Sequence, residues 1–199
     1  MSFSVGGESV TRKDDAAKVT GQAVYAGDMK MEGMLHGKAL RSSYPHARII
    51  KIDTTAAQAV SGVRAVITAK DIPGINRFGL AIADQPVLAD DKVRMMGDAL
   101  ALVAADTLEA AEEACRLIKV DYEELPGVFS IEDALKEDAP QVHSTGNLLQ
   151  HTRLRKGDVA EGFAKSHIIV ENVYQTQRVE HAYLETESSV AHLGYDGVL

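Results

Sequence analysis

The sequence predicts an α+β fold, a mixed sheet with helices laid on it. Three observations lead there. Short β-rich runs recur at Met34–Ser42, Ala47–Asp53, Val63–Thr68 and Ala99–Ala105. Leu108, Ala111, Cys115 and Ile118 recur at helical spacing, the mark of a helix with one apolar face. The order of these pieces, β-β-α-β and then β-α-β, is that of a sheet with packed helices.

Taken in order, residues 1 to about 23 are polar and Gly-rich and read as an arm that another surface must order. The runs Met34–Ser42 and Ala47–Asp53 are separated by S-Y-P-H, where Pro45 makes a turn or bulge. T-T-A-A-Q-A-V-S-G follows as a short helix with a Thr cap and Gly62 as its stop. Val63–Thr68 reads as a buried strand, broken by K-D-I-P-G. Residues 74–86 are apolar without a clear period and read as a loop. A-L-A-L-V-A-A at Ala99–Ala105 is short and wholly apolar, which suits a central strand. Asp106 is then expected to cap a helix, with Glu109 completing a capping box. Ile118–Tyr122 alternates as a strand. From Glu123 to about Gly157 the chain is a connector in which Ser130–Lys136 alone looks helical. Ser166–Thr176 and Tyr183–Leu193 read as two further strands, and G-Y-D-G-V-L as a hairpin turn with a third strand beginning.

Composition narrows the function. The 199 residues carry a formal net charge of −8, with 21 Lys and Arg scattered and no basic run. That balance argues against nucleic acid or an anionic membrane as partner. One cysteine excludes an internal disulfide and a Cys-based zinc site. The opening residues have neither a cationic region nor an apolar core, and no apolar run approaches the roughly 20 residues that span a bilayer. A cytoplasmic protein is expected.

The densest chemistry is Q-R-V-E-H-A-Y-L-E-T, Gln177–Thr186. Glu180, His181 and Glu185 could act as acid, base or metal ligands. On a strand, His181, Tyr183 and Glu185 share a face; on a helix, His181 and Glu185 meet at i, i+4. Two potential ligands without a third make a poor metal site, so hydrogen-bonded scaffold is the better reading. V-G-G-E-S near the start has no strand before it and no helix after it, and makes a weak phosphate cradle. His36 and His46 read as strand-end residues, Cys115 as inert core, and Asp90 and Asp91 as a solvated turn. No catalytic constellation emerges.

Several blocks together resemble one family. K-V-T-G-Q-A-V-Y-A-G-D (18–28) and G-M-L-H-G-K-A-L-R-S-S-Y-P-H-A-R-I (33–49) are similar to the start of the molybdopterin-binding large subunit of the xanthine dehydrogenase and aldehyde oxidase family. I-D-T-T-A-A (52–57), G-V-R-A-V-I-T-A-K-D-I-P-G (62–74), Q-P-V-L-A (85–89) and V-D-Y-E-E-L-P (120–126) continue the resemblance in order, and E-H-A-Y-L-E-T looks like the family's E-H-x-Y-L-E-T. The family's frequent R-S-P is R-S-S here, and its V-G-E-P-V-A is M-G-D-A-L-A at 96–101. Those departures leave the substrate open.

The resemblance implies an N-terminal arm (1–24), an α/β-hammerhead domain (25–129), a connector (130–160) and the first, incomplete part of a molybdopterin-binding domain (161–199). It implies hydroxylation of a heterocycle or oxidation of an aldehyde, with oxygen from water at a molybdenum–pterin centre. Iron–sulfur clusters and FAD on partner subunits or domains would carry electrons away, in what is expected to be a homo-oligomer. The family's glutamine near the molybdenum oxo ligand, its F-G cofactor loop and its catalytic glutamate match no segment of these residues. The chain alone is therefore expected to bind no cofactor or metal, to supply no catalytic residue and to be inactive. The apolar side chains of the 74–84 loop, Phe78, Leu80 and Ile82, are expected to line the substrate channel or else to plug the hammerhead core. Two rivals stand beside this: a freestanding non-catalytic ligand-binding or assembly module, and a cofactor-independent enzyme using Glu180 and His181.

Overall fold

The structure, a computed structural model, describes residues 10–184 and 186–194. In chain order its elements are α1 (Asp15–Val19), β1 (His36–Arg41), β2 (Ala47–Asp53), α2 (Thr55–Gln58), β3 (Val63–Thr68), β4 (Lys92–Val93), β5 (Ala99–Ala105), α3 (Leu108–Leu117), β6 (Lys119–Glu124), α4 (Ile131–Ala134) and α5 (Val159–Lys165). They fall into two units. One is Gly33–Val159; the other draws on the described residues before 33 and from 160 onward.

In the first unit the α+β class stands, but the sheet differs from the single mixed sheet expected. There are two three-stranded sheets, ordered β1-β5-β3 and β4-β2-β6. Their pairings are antiparallel. The division follows from β6. It alternates, with Val120 and Tyr122 half-buried against the core and Asp121 and Glu123 in water, so it suits a sheet with one wet face. It pairs with β2 and not beside β5. In contrast β5 is apolar throughout because it is central: Val103 lies opposite Lys38 on one side and Val66 on the other.

Small side chains let α3 lie close to this sheet. Ala111, Ala114 and Cys115 are buried with Ala101, Val103 and Ala105 of β5, and Ala57 of α2 joins them. Leu108, expected on the same face, is the first residue of the helix and is exposed. The expected capping box is replaced. Thr107 is the cap, its hydroxyl accepting the Ala110 N–H at 3.2 Å. Asp106 still sits at the strand's end, and it takes two hydrogen bonds from Arg64 at 2.8 and 2.9 Å. Gly62, expected to stop α2, instead lies past the helix's Ala59 cap and turns the chain into β3 with φ +85°, where a side chain would be strained. β3 is an edge strand and only half-buried, not the buried strand expected.

A second core joins the two sheets through Ala47, Ala89, Val93 and Leu100. A register shift between Ile49 and Lys51 throws Ile50 out of the ladder, where it is 60% exposed. The connector is more ordered than its composition suggests. Ser130 caps α4 by accepting the Asp133 N–H at 3.0 Å, and the Asn147 side chain ties Val142 to Pro140.

In the second unit α1 lies within the expected arm, and Tyr25 and Asp28 close a 3₁₀ turn around Ala26–Asp28. The strands expected at 166–176 and 183–193 are not formed. A strand exists through its ladder, and neither segment finds one among the described residues. V-G-G-E-S and most of the expected hairpin at 194–199 lie outside the described residues.

Candidate functional site

Loop 74–91 is held from its base upward. The Asn76 carboxamide donates to the Leu88 carbonyl (2.8 Å) and accepts the Leu88 N–H (3.0 Å). Beside it, the Arg77 guanidinium donates to Asp90 at 2.8 Å. Higher up, Phe78 and Gln85 exchange backbone hydrogen bonds of 2.9 and 3.1 Å. Gly79 makes the tip possible: a Cβ there would stand 1.9 Å from the Ile82 carbonyl oxygen. Asp84 contacts His143 Nδ1 at 3.0 Å.

This stem carries Phe78, Leu80 and Ile82 out of the core. All three are exposed, Leu80 completely, and none belongs to either core cluster. The core-plug alternative therefore does not describe them in this chain. Leaving a large apolar side chain in water forgoes roughly 1.5–3 kcal/mol of burial. Three on one pinned tip make a surface suited to a ligand or partner.

The second candidate is 177–186. Glu180 accepts the His181 backbone N–H at 3.0 Å. The His181 and Tyr183 rings stack with centroids 5.4 Å apart, as side chains on one face of an extended chain can, although Ala182 between them has φ +48°. There is no helix here to set His181 and Glu185 one turn apart, and Glu185 lies outside the described residues. Ser188 lies against the 3₁₀ turn: a Cβ on Gly27 would be 3.5 Å from its hydroxyl. Tyr25, Asp28, Leu184 and Thr186 border the open hollow beside that contact. Among the described residues no three of His, Cys, Asp and Glu gather as metal ligands.

The remaining candidates separate. Cys115 is buried, and burial pushes its thiol above the ordinary value, so it is poor as a nucleophile. His36 begins β1 opposite Ala105. Asp90 and Asp91 are structural rather than merely solvated: Asp90 holds Arg77, and Asp91 holds the Arg94 guanidinium at 3.2 Å. Burial pushes the Asp91 carboxyl upward, yet the hydrogen bonds from Arg94 and from the Lys92 N–H outweigh it and leave it below the ordinary range. His46 is buried in the turn before β2, with Nδ1 donating to the Pro126 carbonyl at 2.7 Å. Sequence reasoning missed Asn76 and Arg77; N-R before an apolar run and D-D after it were the available signals.

Two family models match the chain. Residues 20–126 match the aldehyde oxidase and xanthine dehydrogenase a/b hammerhead domain, and residues 141–199 the molybdopterin cofactor-binding domain. A probable xanthine dehydrogenase subunit of Bacillus subtilis (strain 168) is 49% identical over 95% of this chain and 25% of its own length. The nicotinate dehydrogenase large molybdopterin subunit of Eubacterium barkeri is 42% identical over 99% of this chain and 46% of its own. The chain thus spans a quarter to a half of these curated relatives. Among solved structures, quinoline 2-oxidoreductase from Pseudomonas putida 86 superposes with a TM-score of 0.70 at 37% identity, covering 81% of this chain and 22% of that one. The aldehyde oxidoreductase of Desulfovibrio gigas gives 0.63 at 39% identity, over 67% and 16%.

Proposed function

This chain belongs to the aldehyde oxidase and xanthine dehydrogenase family, and on that premise we propose that it serves a molybdenum hydroxylase as scaffold and as part of the substrate-channel wall. The enzyme would hydroxylate an N-heterocycle or oxidise an aldehyde. Relatives described as nicotinate dehydrogenase, quinoline 2-oxidoreductase and aldehyde oxidoreductase support that range. In this reading residues 25–129 are the hammerhead domain, 130–160 the connector and 161–199 the start of the cofactor domain, with 1–24 an arm. The partners are further parts of the large subunit and iron–sulfur and FAD modules, in a cytoplasmic homo-oligomer. Among the described residues no helix is long and apolar enough to cross a membrane.

The molybdopterin, when bound, supplies oxygen transfer from water and accepts the electrons. Residues 141–199 match the model of the molybdopterin cofactor-binding domain, so this segment is part of the domain that would hold the group. In this reading the cofactor contacts and the catalytic groups come from other parts of the enzyme, and Glu180 and His181 serve as scaffold. The purified 199-residue chain is then inactive and free of molybdenum; stoichiometric molybdenum by elemental analysis, or turnover, overturns this.

One observation carries the channel assignment: Phe78, Leu80 and Ile82 are exposed on a loop whose stem is tied at both ends. In the assembled enzyme Phe78→Ala should change kcat/KM for a bulky substrate relative to a small one by about tenfold, the scale at which an apolar pocket discriminates, with folding intact. A uniform change across substrates, or a loss of stability alone, defeats the assignment.

A further inference from the structure

The pairs Asn76–Leu88, Arg77–Asp90 and Phe78–Gln85 join the two arms of loop 74–91 to each other. A further contact leaves the loop. Asp84, on the tip side of the Phe78–Gln85 pair, meets His143 Nδ1 of the connector at 3.0 Å. A carboxylate can only accept, so the imidazole donates its Nδ1–H, in its neutral form as in its protonated one.

The two sides of this contact are unlike. His143 stands on a braced turn. Its carbonyl accepts the Gly146 N–H at 3.0 Å, and Gly146 has φ +98°, a conformation that suits glycine. On the preceding residue, the Val142 N–H donates to the Asn147 side chain at 3.0 Å. The same carboxamide donates to the Pro140 carbonyl at 3.0 Å and to that of Ala134, the last residue of α4, at 3.3 Å. The connector therefore presents a fixed donor. Asp84 lies instead on the part of the loop beyond the Phe78–Gln85 pair, close along the chain to the exposed Leu80 and Ile82.

This contact does not hold the fold together. Both side chains are 40% exposed, and exposed pairs shift an equilibrium by only a few fold. A surface loop belongs to the low end of a protein's local stabilities, so a bias of that size matters to where its tip stands. We propose that His143 is a positioning residue for substrate selection. From the connector it holds the tip of loop 74–91 through Asp84, and so sets where Phe78, Leu80 and Ile82 stand in the channel wall. This role rests on the channel reading proposed above.

Hydrogen exchange on the full chain tests the tie. His143→Ala and Asp84→Ala should each speed exchange of the Gln85 amide about threefold, while the Leu88 amide, bound by Asn76, keeps its rate. The double variant should be no faster than either single one, because the two side chains act as one contact. His143→Asn, whose Nδ2 keeps a donor near the place of Nδ1, should restore the original rate. Unchanged exchange at Gln85, additive effects of the two substitutions, or equal loosening at Leu88 overturns the proposal. In the assembled enzyme His143→Ala should move the kcat/KM ratio of a bulky to a small substrate by about threefold, the same factor, and His143→Asn should return it. Phe78→Ala is the reference for the channel itself. A ratio that moves with Phe78→Ala but not with His143→Ala overturns the positioning role and leaves the channel reading standing. A ratio that moves with neither defeats the channel reading and this proposal with it.

Discussion

The side chain of Asn76 binds the backbone of Leu88 at both of its polar groups, at 2.8 and 3.0 Å. It does for the loop what a paired strand residue does for a sheet. Leu88 itself is 1% exposed, so its N–H and C=O have little access to water. Asn76→Ala should leave both unmatched and cost about 2 kcal/mol. Thermal unfolding should show a fall of several degrees, and hydrogen exchange should show the Leu88 amide losing its protection. Asn76→Asp keeps the acceptor but not the donor, so it should not restore wild-type stability. Exchange at Leu88 unchanged in Asn76→Ala would show that the stem is held by Arg77–Asp90 instead.

Gly79 governs the other end of the same loop. An added Cβ would lie 1.9 Å from a backbone oxygen, that of Ile82, and backbone cannot step aside as a side chain can. Gly79→Ala should cost about 1–3 kcal/mol if the tip is held closed, or else release the tip. Release is read as faster exchange of the Phe78 and Gln85 amides, which bond each other across the loop. In the assembled enzyme it should disturb the same substrate ratio as Phe78→Ala.

Two aliphatic residues on different strands should respond very unequally to truncation. Leu100 is fully buried between the two sheets, and Leu100→Ala should cost about 2–5 kcal/mol. Ile50 is thrown out of the ladder by the bulge in β2, and Ile50→Ala should stay within about 0.5 kcal/mol of wild type. Denaturant titrations of both variants, compared at equal m-value, check this. A large loss at Ile50 would mean that the bulge is itself stabilised by that side chain.

What could be read from the residues alone follows the range of the forces involved. β5 was legible because a short, wholly apolar run suits a strand with a neighbour on each side, which needs no distant information. Its central position in β1-β5-β3 bore that out. The number of sheets was not legible, since pairing β6 with β2 sets Tyr122 against Ile49 and Val120 against Ile52, residues far apart along the chain. The apolar character of Phe78, Leu80 and Ile82 was plain, but their exposure depends on the Asn76 and Arg77 contacts that lift them. The runs at 166–176 and 183–193 promised strands, yet a run of residues cannot by itself supply the neighbour that makes a ladder. Glu180 and His181 were the densest chemistry in the sequence, and among the described residues proximity along the chain did not become a cluster in space.

The start of α3 separates two roles that the sequence merged at Asp106. Thr107 caps the helix and Asp106 pairs with Arg64, so the two substitutions should differ in their pH dependence. Thr107→Ala should cost about 1 kcal/mol, equally at neutral and acid pH, because a hydroxyl does not titrate there. Asp106 behaves otherwise. The hydrogen bonds from Arg64 hold its carboxyl below the ordinary range, so the unfolded chain takes up this proton first as pH falls. Its contribution is fully present above the ordinary aspartate value, about 3.9, and is lost as pH falls through the depressed folded value. Asp106→Asn should therefore weaken the protein at pH 7 and converge on wild type as the pH drops below about 4. The pair is solvent-exposed, so the effect should also shrink in high salt. Unfolding of both variants across this pH range is decisive: parallel curves for Asp106→Asn and wild type would mean that the Arg64 pair contributes nothing to stability.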